Sequence, residues 1–149
     1  MSLLVVGLRE IVITGTARRI CLTAIAVSIV ALLAGCGGSR SPEHVVRAWS
    51  KAFNTGDNNG AADLFAAGAK VIAGDSIRVL RNRDQAVAFN AGLPCSGRII
   101  KLKAAGAEVT AMFELADRAT HRCRGVGEHG SILFHIRDGK IVVFDQIGA

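Results

Sequence analysis

Few side chains in this sequence stand where chemistry could be built around them. Of the four cysteines, Cys21 and Cys36 belong to an apolar N-terminal stretch, and Cys95 and Cys123 stand apart from it. Two thiols with neither C-x-x-C nor H-x-x-x-H spacing are a poor start for a zinc site, so no metal is expected. The four histidines divide by context. His44 falls in the first turn of a helix and reads as solvated, and His129 follows a Gly-rich loop and receives no role. His121 is surrounded by Arg118, Arg122 and Arg124 next to Cys123, which reads either as a solvated loop or as a contact for lipid headgroups or a polymer. His135 shares a strand face with Leu133 and is a candidate pocket base. There is no tyrosine, no G-x-S-x-G, no phosphate loop and no metal spacing, so no cofactor is expected.

The N-terminal stretch reads as an address. Arg18-Arg19 precede an uncharged apolar run, Ile20 to Leu33, of about 14 residues, short of the roughly 20 that a spanning helix needs. A positive start, a short apolar core and a small-residue exit describe a secretory signal. The exit, Leu33-Ala34-Gly35-Cys36, resembles the lipobox of bacterial lipoproteins. That resemblance implies that residues 1–35 are removed and that Cys36, the new N-terminus, carries the lipid. Small residues before the cut let a peptidase approach the backbone, and the thiol receives the diacylglycerol. Residues 36–41 then form a lipidated Cys and a flexible Gly/Ser tether, with a domain over 42–149. The apolar Met1 to Ala17, ahead of the arginine pair, fits either an unusually long start to the signal or a misplaced start codon. On this reading the protein is extracytoplasmic and held at the cell membrane by lipid on Cys36. Export in turn favours a Cys95–Cys123 bridge over two free thiols.

Three of the 18 Lys and Arg and one of the 12 acids precede Cys36, which leaves 15 against 11, about +4, for the mature chain. That balance suits an anionic membrane surface. The basic residues are scattered and without aromatic interleaving, so nucleic acid is not an expected partner.

The periodicity places the elements. Ser41-Pro42-Glu43 opens a helix with Val45, Val46, Trp49, Ala52 and Phe53 on one stripe, ended by Asn54-Thr55-Gly56-Asp57. A second helix is expected over 59–67 with Gly68 as its stop. Short strands at 71–73 and 77–80 flank Gly74-Asp75, and Asn82 with Gln85 caps a third helix. The period then becomes two: strands at 98–103, around 108–115, at 131–137 and at 140–147, the last two joined by Asp138-Gly139. Three helices and a run of antiparallel strands make an α+β plan.

This order resembles the nuclear-transport-factor-2-like, or SnoaL-like, superfamily. The residues that carry the resemblance are Trp49, Ala52, Asn54-x-Gly56-Asp57, Leu64-Phe65-Ala66, Arg83-Asp84-x-Ala86 and Arg137-Asp138-Gly139-Lys140-Ile141. It implies three helices packed on a strongly curved antiparallel sheet, a cone with an apolar pocket at its open end. Two features depart from the family: Ala67-Gly68, where members often have Pro-Asp, and the Cys95/Cys123 pair. The superfamily holds isomerases, cyclases, dehydratases and epoxide hydrolases beside members without activity, so the fold licenses no reaction. Its ketosteroid isomerases place a Tyr and carboxylic acids around a dienolate oxygen, and this chain has no Tyr. The epoxide hydrolases' Asp-Arg-Asp relay has no counterpart here.

Asp145 is the unusual carboxylate. A regular ladder from a two-residue turn sets Arg137 against Lys140, Ile136 against Ile141, Phe134 against Val143 and Ile132 against Asp145. Asp145 then lies on an otherwise apolar face, where burying a carboxylate is costly. Two outcomes follow: it meets water or an arginine such as Arg98, or it lines the pocket mouth with a raised pKa. Pocket candidates are therefore Asp145, His135 and Trp49. The reading is a membrane-anchored lipoprotein whose domain binds a small apolar ligand or an envelope protein without catalysis, with a homodimer left open. The alternatives are a small SnoaL- or isomerase-type enzyme using Asp145 and a His as acid and base, or a structural accessory that docks on an envelope complex.

Overall fold

The computed structural model describes residues 40–148. Its elements are α1 (Pro42–Asn54), α2 (Asn58–Ala62), β1 (Phe65–Ala73), β2 (Ser76–Leu80), α3 (Arg83–Gly92), β3 (Ser96–Ala105), β4 (Glu108–Ala116), β5 (His129–Arg137) and β6 (Lys140–Gln146). Cys36, and the signal and tether expected up to residue 39, lie outside the described residues.

α1 begins as its sequence dictates. The Ser41 side chain accepts from the His44 N–H, Pro42 occupies the first turn, and Glu43 lies at the positive end of the helix dipole. Its stripe of Val45, Val46, Trp49 and Phe53 is buried. α3 is capped by Asn82, whose side chain accepts from the Gln85 N–H at 3.0 Å. Gln85 reaches back to the Arg81 N–H at 2.8 Å, a capping box displaced by one residue.

The second helix is shorter than its composition suggests. α2 is a single turn capped by Asp57, and the chain from Phe65 is strand, not helix. Five-residue helices gain little on their own. Here the pairing of β1 with β6 and the burial of Phe65 against Phe89 and Phe144 prevail. Gly68, at φ +81°, lies within the irregular pairing of β1 rather than at a helix end.

The six strands form one sheet in the order β2-β1-β6-β5-β4-β3, antiparallel except between β1 and β6. Its inner face and the helices enclose Phe65, Val71, Val109, Ala111, Phe113, Phe134, Ile136, Ile141 and Phe144. The Asp138-Gly139 turn is as expected, with both residues at positive φ, as a type I′ hairpin requires.

The β5–β6 register, however, departs from the regular ladder. Ile136 faces Ile141 but His135 faces Val143, so Val142 is an extra residue, a β-bulge. Beyond it Phe134 faces Phe144, Leu133 faces Asp145 and Ile132 faces Gln146. The bulge turns Phe144 into the core, where it is fully buried, and Asp145 to the opposite face.

Candidate functional site: an apolar cavity closed by a bridged loop

The inner face of the sheet leaves a cavity of about 400 Å³ at the end where β4 ends and β5 begins. Trp49 and Phe53 of α1 form one wall. Phe113 and Leu115 of β4 and Ile132 of β5 form another, and Phe144 of β6 contributes a third aromatic surface. The segment Leu93–Gly97, between α3 and β3, completes the enclosure. The polar side chains among the lining residues are Ser96, Ser131 and Gln146, and among the described residues no ionisable side chain lines the cavity.

Two glycines make the room. Gly130 lies opposite Phe113 on the inner face, and a Cβ there would meet Leu115 at 3.6 Å, ordinary contact. Gly97 is tighter: its Cβ would stand 3.1 Å from the Phe113 Cβ and 3.3 Å from the Glu114 carbonyl oxygen. Asn54, at the end of α1, binds the Gly97 backbone on both sides, donating to its carbonyl at 2.7 Å and accepting from its N–H at 3.2 Å. A side chain of the recognised Asn54-x-Gly56-Asp57 stretch thus fixes the start of β3 against α1.

Trp49 is positioned from several directions. Its indole N–H donates to the Asn90 side-chain oxygen at 2.9 Å, and Asn90 donates to the Ala86 carbonyl at 2.7 Å. The ring stacks on Phe53 at 5.2 Å and meets Phe113, Phe134 and Phe144 edge-on or tilted. Asn90 is fully buried with both ends of its amide engaged, so Trp49 presents an aromatic surface with no free polar group.

The loop from Asp117 to Glu128 borders the cavity. A disulfide joins Cys123 to Cys95, a lining residue, and the Cys123 N–H donates to the Asp117 carboxylate at 2.7 Å. Arg118 turns inward. Its guanidinium donates to the carbonyls of Asn90 and Leu93 at 2.8 Å each and to the Asn58 side chain at 3.0 Å, and it lies 4.4 Å from the centre of the Phe53 ring. Burial pushes this guanidinium below its ordinary pKa. It ties the loop to α2, α1 and the end of α3, so it is not part of the exposed basic set expected from the sequence.

Of the pocket candidates, Trp49 lines the cavity, and Asp145 and His135 do not. Asp145 is paired with Ile72 of β1 and Leu133 of β5 on the outer face of the sheet. His135 is also on that face, 3.6 Å from Glu108. The sequence-based pairing of Asp145 with Arg98 does not form; Arg98 pairs with Glu114 on the neighbouring strand. The lining residues Gly130, Ser96, Ser131 and Gln146 carry no motif that marks them in the sequence. Gly130 is the second residue of β5, between His129 and Ser131, so nothing in the apolar pattern marks it as an inner-face position.

Three helices on one six-stranded, mostly antiparallel sheet, with the cavity between them, define the class of protein. The SnoaL-like domain family model matches residues 46–144, and the chain belongs to that family. No curated protein matches it. Among solved structures it is similar to a nuclear-transport-factor-2-like protein of unknown function from Cytophaga hutchinsonii, at 14% identity and TM-score 0.60, covering 73% of this chain and 90% of that one. A nuclear-transport-factor-2-like protein of unknown function from Burkholderia pseudomallei gives 14% identity and TM-score 0.59, over 74% and 92% of the two chains. A hypothetical protein with a ketosteroid isomerase-like fold from Catenulispora acidiphila, in complex with trimethylamine, gives 20% identity and TM-score 0.53 over 70% and 85%. These likenesses are of fold.

Proposed function

We propose that this domain is a carrier or receptor for a small, mainly apolar ligand, held without chemical change in the cavity beside Trp49. The observation that carries the reading is the lining: aromatic and aliphatic side chains, with Ser96, Ser131 and Gln146 as its polar ones. Hydroxyl and amide groups can orient a ligand, but they do not supply the tuned acid and base that isomerisation or cyclisation needs. Asp145 and His135, the pair an enzyme reading would call on, face away from the ligand space.

We further propose that the domain works outside the cytoplasm, anchored through lipid on Cys36 after removal of residues 1–35. The Leu33-Ala34-Gly35-Cys36 exit and the Cys95–Cys123 bridge both support this, since structural disulfides persist in oxidising compartments. Native mass spectrometry of the full chain purified from membranes tests the ligand reading. A bound small molecule that organic solvent strips off unaltered supports it. A molecule released in converted form, or an empty chain that takes up no apolar compound, contradicts it.

A further inference from the structure

The cavity opens at an end of the domain that has a surface chemistry of its own. Three lining residues fix what surrounds it. Cys95 is bonded to Cys123 of the loop, Leu115 exchanges backbone hydrogen bonds with Gly127 and Glu128 at 2.8 Å, and the Ser131 carbonyl accepts from the Ile147 N–H at 3.0 Å. Val126 and Ile147 are therefore both brought to the cavity rim. They are 59% and 46% exposed, two of the five large apolar side chains left open on the described domain. Arg122 and Arg124 flank Cys123 of the disulfide, and both are exposed. Among the described residues no carboxylate lies within ion-pair distance of either arginine. The nearby acids Asp117 and Glu114 are taken up, by the Cys123 N–H and by Arg98, which leaves Glu128 as the free acid of the loop. Arg118 and the disulfide hold this rim rigidly against the helices, so docking it on a surface orders little additional chain.

We infer that this rim docks on an anionic lipid surface, with Val126 and Ile147 entering the headgroup boundary and Arg122 and Arg124 meeting lipid phosphates. Apolar side chains flanked by unpaired cations are the composition that an interfacial membrane contact needs. A protein partner is disfavoured because the apolar area is two separate side chains, not a continuous patch of the kind protein interfaces bury. The inference rests on the proposed membrane residence and adds an orientation: the cavity mouth faces the bilayer, so that an apolar ligand passes between lipid and pocket without crossing water.

The test uses the full chain mixed with vesicles of phosphatidylcholine alone, or of phosphatidylcholine with an equal part of phosphatidylglycerol. Flotation reports association, and hydrogen exchange of amides 121–127 and 147 reports the rim. Exchange there should slow roughly tenfold with phosphatidylglycerol relative to phosphatidylcholine alone. Arg122→Gln/Arg124→Gln, both at exposed positions, should abolish that difference while urea unfolding stays unchanged. A chain that floats with both vesicles and exchanges alike in both overturns the rim and leaves the anchor standing. A chain that floats with neither overturns both. Protection confined to another surface, such as β2, assigns the contact elsewhere and overturns the inference.

Discussion

Trp49 is the residue that links fold to site, because one face of its ring is core and its neighbours enclose the ligand space. Its N–H depends on the buried Asn90 oxygen. Asn90→Ala should therefore cost about 1–3 kcal/mol, the penalty for leaving a buried donor unpaired, measured by urea unfolding followed through the emission of this only tryptophan. Asp145→Asn carries the opposite expectation. The side chain is on the outer face, so binding of an uncharged apolar probe such as N-phenyl-1-naphthylamine should be unchanged; a clear loss of affinity would put the carboxylate back in the pocket. Asp63 provides a pH signature. A hydrogen bond from Arg83 lowers its carboxyl pKa, the charges of Arg83 and Lys140 assist, and desolvation opposes. The native state thus binds this proton less readily than the unfolded chain. The stabilisation is present above the ordinary carboxylate pKa and is lost as pH falls through the lowered native value. Both partners are exposed, so the effect is small. Urea midpoints recorded from neutral to acid pH should fall less steeply at the acid end in Arg83→Gln than in the wild type.

At the scale of elements, two features decide what the cavity contains. The first is the bulge at Val142. Deleting that residue removes the bulge while keeping His135 opposite Val143, Phe134 opposite Phe144 and Leu133 opposite Asp145. Phe144 then stays inward, so the deletion should keep the near-UV circular dichroism of a packed core. A variant without that signal would contradict this account of the register. The second is the disulfide, which closes a 28-residue separation. Cys95→Ser/Cys123→Ser should lose about 3.5 kcal/mol on the chain-entropy model and still fold, since Arg118 and the Leu115 backbone bonds also hold the loop. Equilibrium denaturation of the double variant checks both statements. These two features also mark what was legible in the chain. The α1 stripe and the Asp138-Gly139 turn follow from local signals of cap, period and turn residue, and the bridge follows from the cysteine count and the export reading. The bulge does not, because Ile141-Val142-Val143-Phe144 is apolar throughout and contains no polar residue to reveal a slip of one. The end of α2 is hidden in the sequence for a related reason. Leu64-Phe65-Ala66-Ala67 suits a helix locally, and only pairing with the distant β6 makes it strand.

For the whole molecule, the proposal joins an address to a pocket. The proposed address rests on residues 18–36, and the pocket is implied by the family pattern; the rings that face each other across the cavity are visible only in three dimensions. Lipidation at Cys36 is checked by intact mass: acyl chains are expected on the wild type and absent from Cys36→Ala, and an unmodified wild type retaining residues 1–35 would remove the anchor from the account. The central claim concerns the cavity, and Gly130→Val addresses it most directly. A Cβ at this position makes an ordinary contact with Leu115, and the added methyl groups occupy ligand space on the inner face. The measurement is the affinity of wild type and Gly130→Val for N-phenyl-1-naphthylamine, with urea unfolding of both in parallel. The account predicts saturable binding by the wild type, read also through Trp49 emission, and at least roughly tenfold weaker binding by the variant, the effect of about 1.4 kcal/mol, at near-equal stability. Equal affinity of two equally stable proteins, or no binding by the wild type, would contradict it.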